Sequence, residues 1–136
     1  MPKIDFYKLA LEWFLRAQDD LLFATAGFKE SGIARATCFL SQQAAEKYLK
    51  GFLVANGVEP PRTHILPELL TACIKINKEF AGIAEECEFL NQFYNPARYP
   101  GGVDLDFSHK LGEKALLAGE AVEKFIQHTI NIKVGK

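Results

Sequence analysis

The chain has 136 residues, 49% of them hydrophobic and 24% charged, with 16 Lys and Arg against 17 Asp and Glu for a net charge of −1. That length and balance fit one globular domain with a substantial core, residues 1–136. They exclude a global basic field that would hold nucleic acid by charge alone, so any such contact must come from a local patch. No apolar run reaches the roughly 18 residues of a membrane span, and the start Met-Pro-Lys-Ile-Asp has no apolar signal core. The three cysteines, Cys38, Cys73 and Cys87, have no metal-like spacing. The expectation is a cytoplasmic protein with reduced core thiols, no metal, no cofactor and no membrane association.

Hydrophobic periodicity predicts five helices. The first covers about residues 5–28, with Phe6, Ala10, Trp13, Ala17, Leu21, Ala24 and Phe28 on its main face. Leu11, Leu15 and Leu22 form a second stripe, as expected of a helix touching two neighbours. Asp20 falls on the main apolar face, an unusual place for a carboxylate. Ser31-Gly32 breaks the pattern. The second helix, about 33–55, stops at Asn56-Gly57, a C-cap signal. Pro60-Pro61 makes the next segment an extended loop. A third helix starts at Thr63 or Pro67 and ends near Asn77. A fourth covers about 81–94 and is ended by Pro96. The segment 95–106 is the longest irregular one, and a fifth helix follows over about 108–131, with Leu111, Ala115, Ala118, Val122, Phe125 and Thr129 on one face. No segment reads as a strand. The expected fold is all-α, an antiparallel up-and-down bundle with three long helices as staves and two short ones closing it.

Three polar sites interrupt this pattern. In the second helix Cys38, Ala45, Leu49, Phe52 and Leu53 share a face, Gln42 lies inside it, and Arg35 and Glu46 lie on its edge. Gln43, Lys47 and Lys50 read as a separate stripe on the opposite side. A buried polar group without a partner costs roughly 1–3 kcal/mol. Asp20, Arg35, Gln42 and Glu46 therefore read as a structural polar network beside a solvated lysine stripe; the functional alternative is a phosphate site at the bundle edge. The second site is Pro60-Pro61-Arg62-Thr63-His64. Arg62 and His64 suit a phosphate, but the plainer expectation is that Thr63 caps the third helix and His64 satisfies a loop carbonyl. The third is Ala97-Arg98-Tyr99-Pro100-Gly101-Gly102. Arg98 offers a planar fork, Tyr99 a ring for stacking, and the glycines close backbone approach. The plainer expectation is that Arg98 pairs with Glu46 or Asp20 and pins the loop to the bundle. The ligand-binding candidates are Lys47, Lys50, Arg62, His64, Arg98 and Tyr99, with no catalytic set and no metal site. Walker-type and dinucleotide glycine loops, H-E-x-x-H and C-x-x-C are all absent.

Taken together, these pieces resemble the HEPN domain, the higher-eukaryote and prokaryote nucleotide-binding family. The resemblance runs from Trp13-x-x-x-Ala17-x-x-Asp20-Leu21 through Gln42-Gln-Ala-Ala-Glu46-Lys47-Tyr48-Leu49-Lys50 and Pro60-Pro-Arg-Thr-His64, with Leu66 and Leu69-Leu70 following. It closes on Ala97-Arg98-Tyr99-Pro100 and so covers nearly the whole chain. It implies a helical bundle, commonly a homodimer, and a minimal nucleotidyltransferase protein as partner. It also raises RNA cleavage, which in the wider superfamily uses an Arg-x(4–6)-His motif. This chain departs from that motif: ten residues separate Arg98 from His109 and one separates Arg62 from His64. The expected function is a noncatalytic nucleotide- or RNA-binding module acting with a nucleotidyltransferase. The alternatives are a ribonuclease toxin of a toxin-antitoxin pair, with Arg98 and His109 or His64 in the chemistry, and a dimeric scaffold whose polar clusters are structural.

Overall fold

The computed structural model describes residues 3–94 and 106–130. Helix α1 spans Phe6–Ser31, α2 Ala34–Ala55, α3 Leu66–Ile76, α4 Ala84–Asn91 and α5 His109–Ile130, with a 3-10 helix at Lys78–Ile83 between α3 and α4. The described residues hold no strand, so the all-α expectation stands, with three long and two short α-helices.

Local chemistry sets most of the ends. Asp5 caps α1, its carboxylate accepting from the Lys8 amide at 3.1 Å. Gly32 closes α1 with φ 68° and donates to the Phe28 carbonyl, so the helix runs a turn past the expected stop. Ser108 Oγ accepts from the Leu111 amide at the start of α5. Helix α3 follows the Pro67 alternative, with that proline in its first turn and Asn77 at its end. Thr63 does not cap it; its hydroxyl accepts from the Ile65 amide, and the helix begins at Leu66. The first amide of α3 is satisfied across the fold instead, by Asn91 Oδ1 of α4 at 2.9 Å. The segment expected as one fourth helix is split, because Asn77 caps a 3-10 turn through the Glu79 amide at 2.9 Å.

The helix order in space follows from the small residues at the crossings. A methyl group placed on Gly51 would stand 2.6 Å from the Phe14 ring, and one on Gly119 would stand 2.8 Å from Leu21 Cδ2 and 3.5 Å from Ser41 Cβ. One on Gly112 would meet Phe28 and Ala34. These pairings make α1 antiparallel to α2 and to α5, while α2 and α5 run the same way. The core between them holds Phe14, Leu21, Tyr48, Leu49, Leu53, Val122 and Ile126, roofed by Leu66, Leu69, Phe80, Leu90 and Phe93. Phe14 takes the core position of α1, whereas Trp13 is half-buried and Phe6 exposed. In the second stripe of α1 Leu11 is half-buried, but Leu15 and Leu22 are exposed, as are Phe23 beside them and Leu117 on α5. No helix among the described residues is long and apolar enough to cross a membrane.

Two glycines within helices give a sharp packing test. Gly51→Ala drives a methyl into the rigid, buried Phe14 ring, an overpacking cost of about 1–3 kcal/mol against a helix-propensity gain of at most about 1 kcal/mol. Gly27 in α1 has open space where its methyl would go, so Gly27→Ala keeps only the gain. Urea unfolding should show Gly51→Ala less stable and Gly27→Ala more stable than wild type. Equal signs for the two would refute the close crossing at Gly51.

Candidate functional site

Polar residues of α2 between Gln42 and Lys50 form three clusters. Gln42, Glu46 and Lys50 follow one another at helical i, i+4 spacing and lie on one buried flank. Glu46 is the hub. Its Oε2 accepts from Lys50 Nζ at 2.9 Å and faces His64 Nδ1 at 3.0 Å. Its Oε1 lies 3.4 Å from Gln42 Nε2, which also donates to the His64 carbonyl at 3.3 Å. Gln43 Nε2 donates to Gln42 Oε1 at 2.7 Å. Gln42 is fully buried and leaves no orphan polar atom. The second cluster is the ion pair of Lys47 with Asp20 on α1, at 2.5 Å. The third is Tyr48, whose hydroxyl donates to the Glu123 carboxylate of α5. Burial first, then that hydrogen bond and the nearby Glu123 and Asp20 charges, push the Tyr48 phenol far above its usual range.

Several expectations are corrected here. Lys50 does not belong to a solvated stripe; it is buried, paired with Glu46, and lies 5.9 Å from the Trp13 ring centroid. The i, i+4 spacing from Glu46 was the overlooked signal. Arg35 stands apart from the network: it is exposed, and its guanidinium covers the Phe107 ring at 4.6 Å. Asp20 meets Lys47 rather than the Gln42–Glu46 cluster. His64 reaches the Glu46 carboxylate, not a loop carbonyl, and its ring stacks on Tyr94 at 4.5 Å. Arg62 is exposed and bonds to no described residue. Arg98 and Tyr99 lie outside the described residues, and with them the expected Glu46–Arg98 contact. His109 is remote from this cluster, stacked on Phe28 at 4.5 Å and facing Glu113 at 3.6 Å.

All three cysteines are buried free thiols. Burial pushes Cys38 up to about 11 and Cys73 and Cys87 up to about 12, so none is a thiolate nucleophile at neutral pH. The described residues hold no cluster of His, Cys, Asp and Glu suited to a metal.

Beside the Lys47–Asp20 pair lies a groove of about 560 Å³ between α1, α2 and the Pro60 loop. Leu9, Trp13, Val54 and Pro60 form its apolar walls, and Glu12, Arg16 and Lys47 bring charge to it. Leu9, Glu12, Trp13 and Arg16 fall within about 100° of one another on α1, which is why one helix supplies most of a wall. Arg16 makes no hydrogen bond or ion pair with a described residue, so its fork is open. Sequence reading missed Glu12 and Arg16, because each looks like an ordinary surface charge until α2 brings Lys47 alongside.

Comparison with known proteins places this geometry in context. The family model of the HEPN domain matches residues 10–131. The chain is similar to TT1696 from Thermus thermophilus, at 26% identity, with a TM-score of 0.73 over 88% of this chain and 96% of the other. It is also similar to ST0689, an archaeal HEPN homologue, at 29% identity, with a TM-score of 0.73 over 89% of this chain and 97% of the other. No curated protein matches.

Proposed function

The chain belongs to the HEPN family, and from that premise we propose that it is a noncatalytic module that binds a nucleotide or single-stranded nucleic acid and works with a minimal nucleotidyltransferase protein. The observation that carries this reading is the α1–α2 groove, where an aromatic ring, an open Arg16 fork and Lys47 converge on a space of about 560 Å³. Phosphates are held by such cations and bases by such rings. The noncatalytic assignment rests on two features. No Arg is followed by His at the spacing that the superfamily's ribonucleases use. The loop histidine, His64, is tied to Glu46, beside Lys50, in a network that accounts for its position without chemistry.

A dimeric scaffold is a second reading, favoured by the exposed Leu15, Leu22 and Phe23 of α1 and Leu117 of α5. A homodimer on that face is compatible with the binding role, because the α1–α2 groove uses other residues.

Calorimetry with short single-stranded RNA at low salt tests the binding role. Binding should weaken as salt rises, with a slope near −0.7 for each phosphate contact, and Arg16→Ala should remove about one such unit. Silent titrations of both RNA and nucleotides would overturn the proposal. For the partner, co-purification with a nucleotidyltransferase encoded beside this protein is the expected result.

A further inference from the structure

We propose that the α1–α2 groove is a site for a single nucleotide and that Asp20 competes with the ligand's phosphate for Lys47. This rests on the binding role proposed above and specifies its ligand.

The groove has the parts one nucleotide needs, each once. Trp13 lines the groove with an aromatic side chain, and stacking of a base on such a ring is sequence-tolerant. Arg16 offers the planar, bidentate donor set that suits a phosphate monoester. Glu12 stands one helical turn before Arg16 on the same wall, where a carboxylate accepts from ribose hydroxyls and repels a second phosphate. The volume of about 560 Å³ lies within the range of small-ligand pockets, and the single negative wall residue disfavours a chain of phosphates running through it.

Lys47 is the shared element. It lines the groove, yet its ammonium now rests on Asp20. The pair is part-buried, with side-chain exposures of 27% for Lys47 and 18% for Asp20. Neither charge is sealed from water, so an incoming phosphate dianion can draw Lys47 away from the pair. The cost of breaking the pair lowers affinity. Asp20 therefore sets the affinity of the groove without touching the ligand.

The protein carries one tryptophan, so its fluorescence reports on the groove directly. Titration with a nucleoside 5′-monophosphate is expected to quench it, and the unphosphorylated nucleoside to bind at least about tenfold more weakly, the loss of one charge-assisted hydrogen bond. Arg16→Ala should weaken the monophosphate by a similar factor. Asp20→Asn should tighten it by about two- to fivefold, and this gain should vanish when Lys47→Ala is added. Unfolding curves alongside confirm that each variant is folded. Weaker or unchanged binding in Asp20→Asn overturns the competition. A monophosphate that leaves the fluorescence unchanged while RNA still binds overturns the single-nucleotide site but leaves the binding module intact; if neither binds, both fall.

Discussion

Glu46→Ala should lower the unfolding free energy by about 3 kcal/mol, the low end for breaking a buried ion pair by removing one partner. The carboxylate holds Lys50, His64 and Gln42 at once. Without it the Lys50 ammonium stays in a site where its side chain is only 11% exposed. The Trp13 ring 5.9 Å away does not replace a carboxylate, since a cation–π contact is worth about 0.5–2 kcal/mol. The low end applies because the long lysine stem lets the charge move toward water. His64 suffers less: its side chain is 51% exposed and hydrates readily. Gln42 keeps the His64 carbonyl as acceptor. The double variant Glu46→Leu with Lys50→Met should recover most of the loss, because two apolar side chains of similar volume need no partner. Urea unfolding measures both. A single variant within about 0.5 kcal/mol of wild type, or a double variant no better than the single, would show that the network does not bear on stability.

The network also shows where sequence reading succeeds and where it stops. Apolar spacing in α1, α2 and α5 is governed by each helix alone, so three staves are legible to within a turn. Gln42 and Glu46 are legible as buried polar groups because they break an apolar face. Their partners are harder to read. Lys50 looks like surface charge because a lysine's burial is decided by what packs over it, here Trp13 from α1. Arg35 sits at the right angle for the network, but the chain around Phe107 offers it a ring instead. Asp20 and Lys47 are separated by 27 positions, and their pairing depends on the α1–α2 crossing that Gly51 permits. The groove is likewise a product of that crossing, so Glu12 and Arg16 carry no local mark. The cap on α3 comes from Asn91 on another helix, which explains why Thr63 was the natural but mistaken choice.

The 3-10 helix at Lys78–Ile83 is the element least legible in sequence, yet it places a core aromatic ring between two staves. Phe80 is fully buried, its ring 4.3 Å from Phe52 of α2 and 4.8 Å edge-on from Phe125 of α5. It is the bolt that joins the short-helix roof to two of the three staves. Phe80→Ala removes a ring that the rigid helices on either side cannot move in to replace, so the cost should be about 3–5 kcal/mol. Aromatic pairing adds to the burial term here, because two ring contacts are lost together. Apart from the buried Ile83, the rest of the turn bears little load. Lys78, Glu79, Ala81 and Gly82 are exposed, and substitutions there that spare the backbone should stay within about 0.5 kcal/mol of wild type. The decisive comparison is Phe80→Ala against Glu79→Ala in chemical denaturation. A loss below about 1 kcal/mol for Phe80→Ala would mean that the roof is not seated on the bundle through this ring. If instead the two variants differ as expected, the short 3-10 segment holds α3 and α4 over the α2 flank, and with them the His64 loop that meets Glu46.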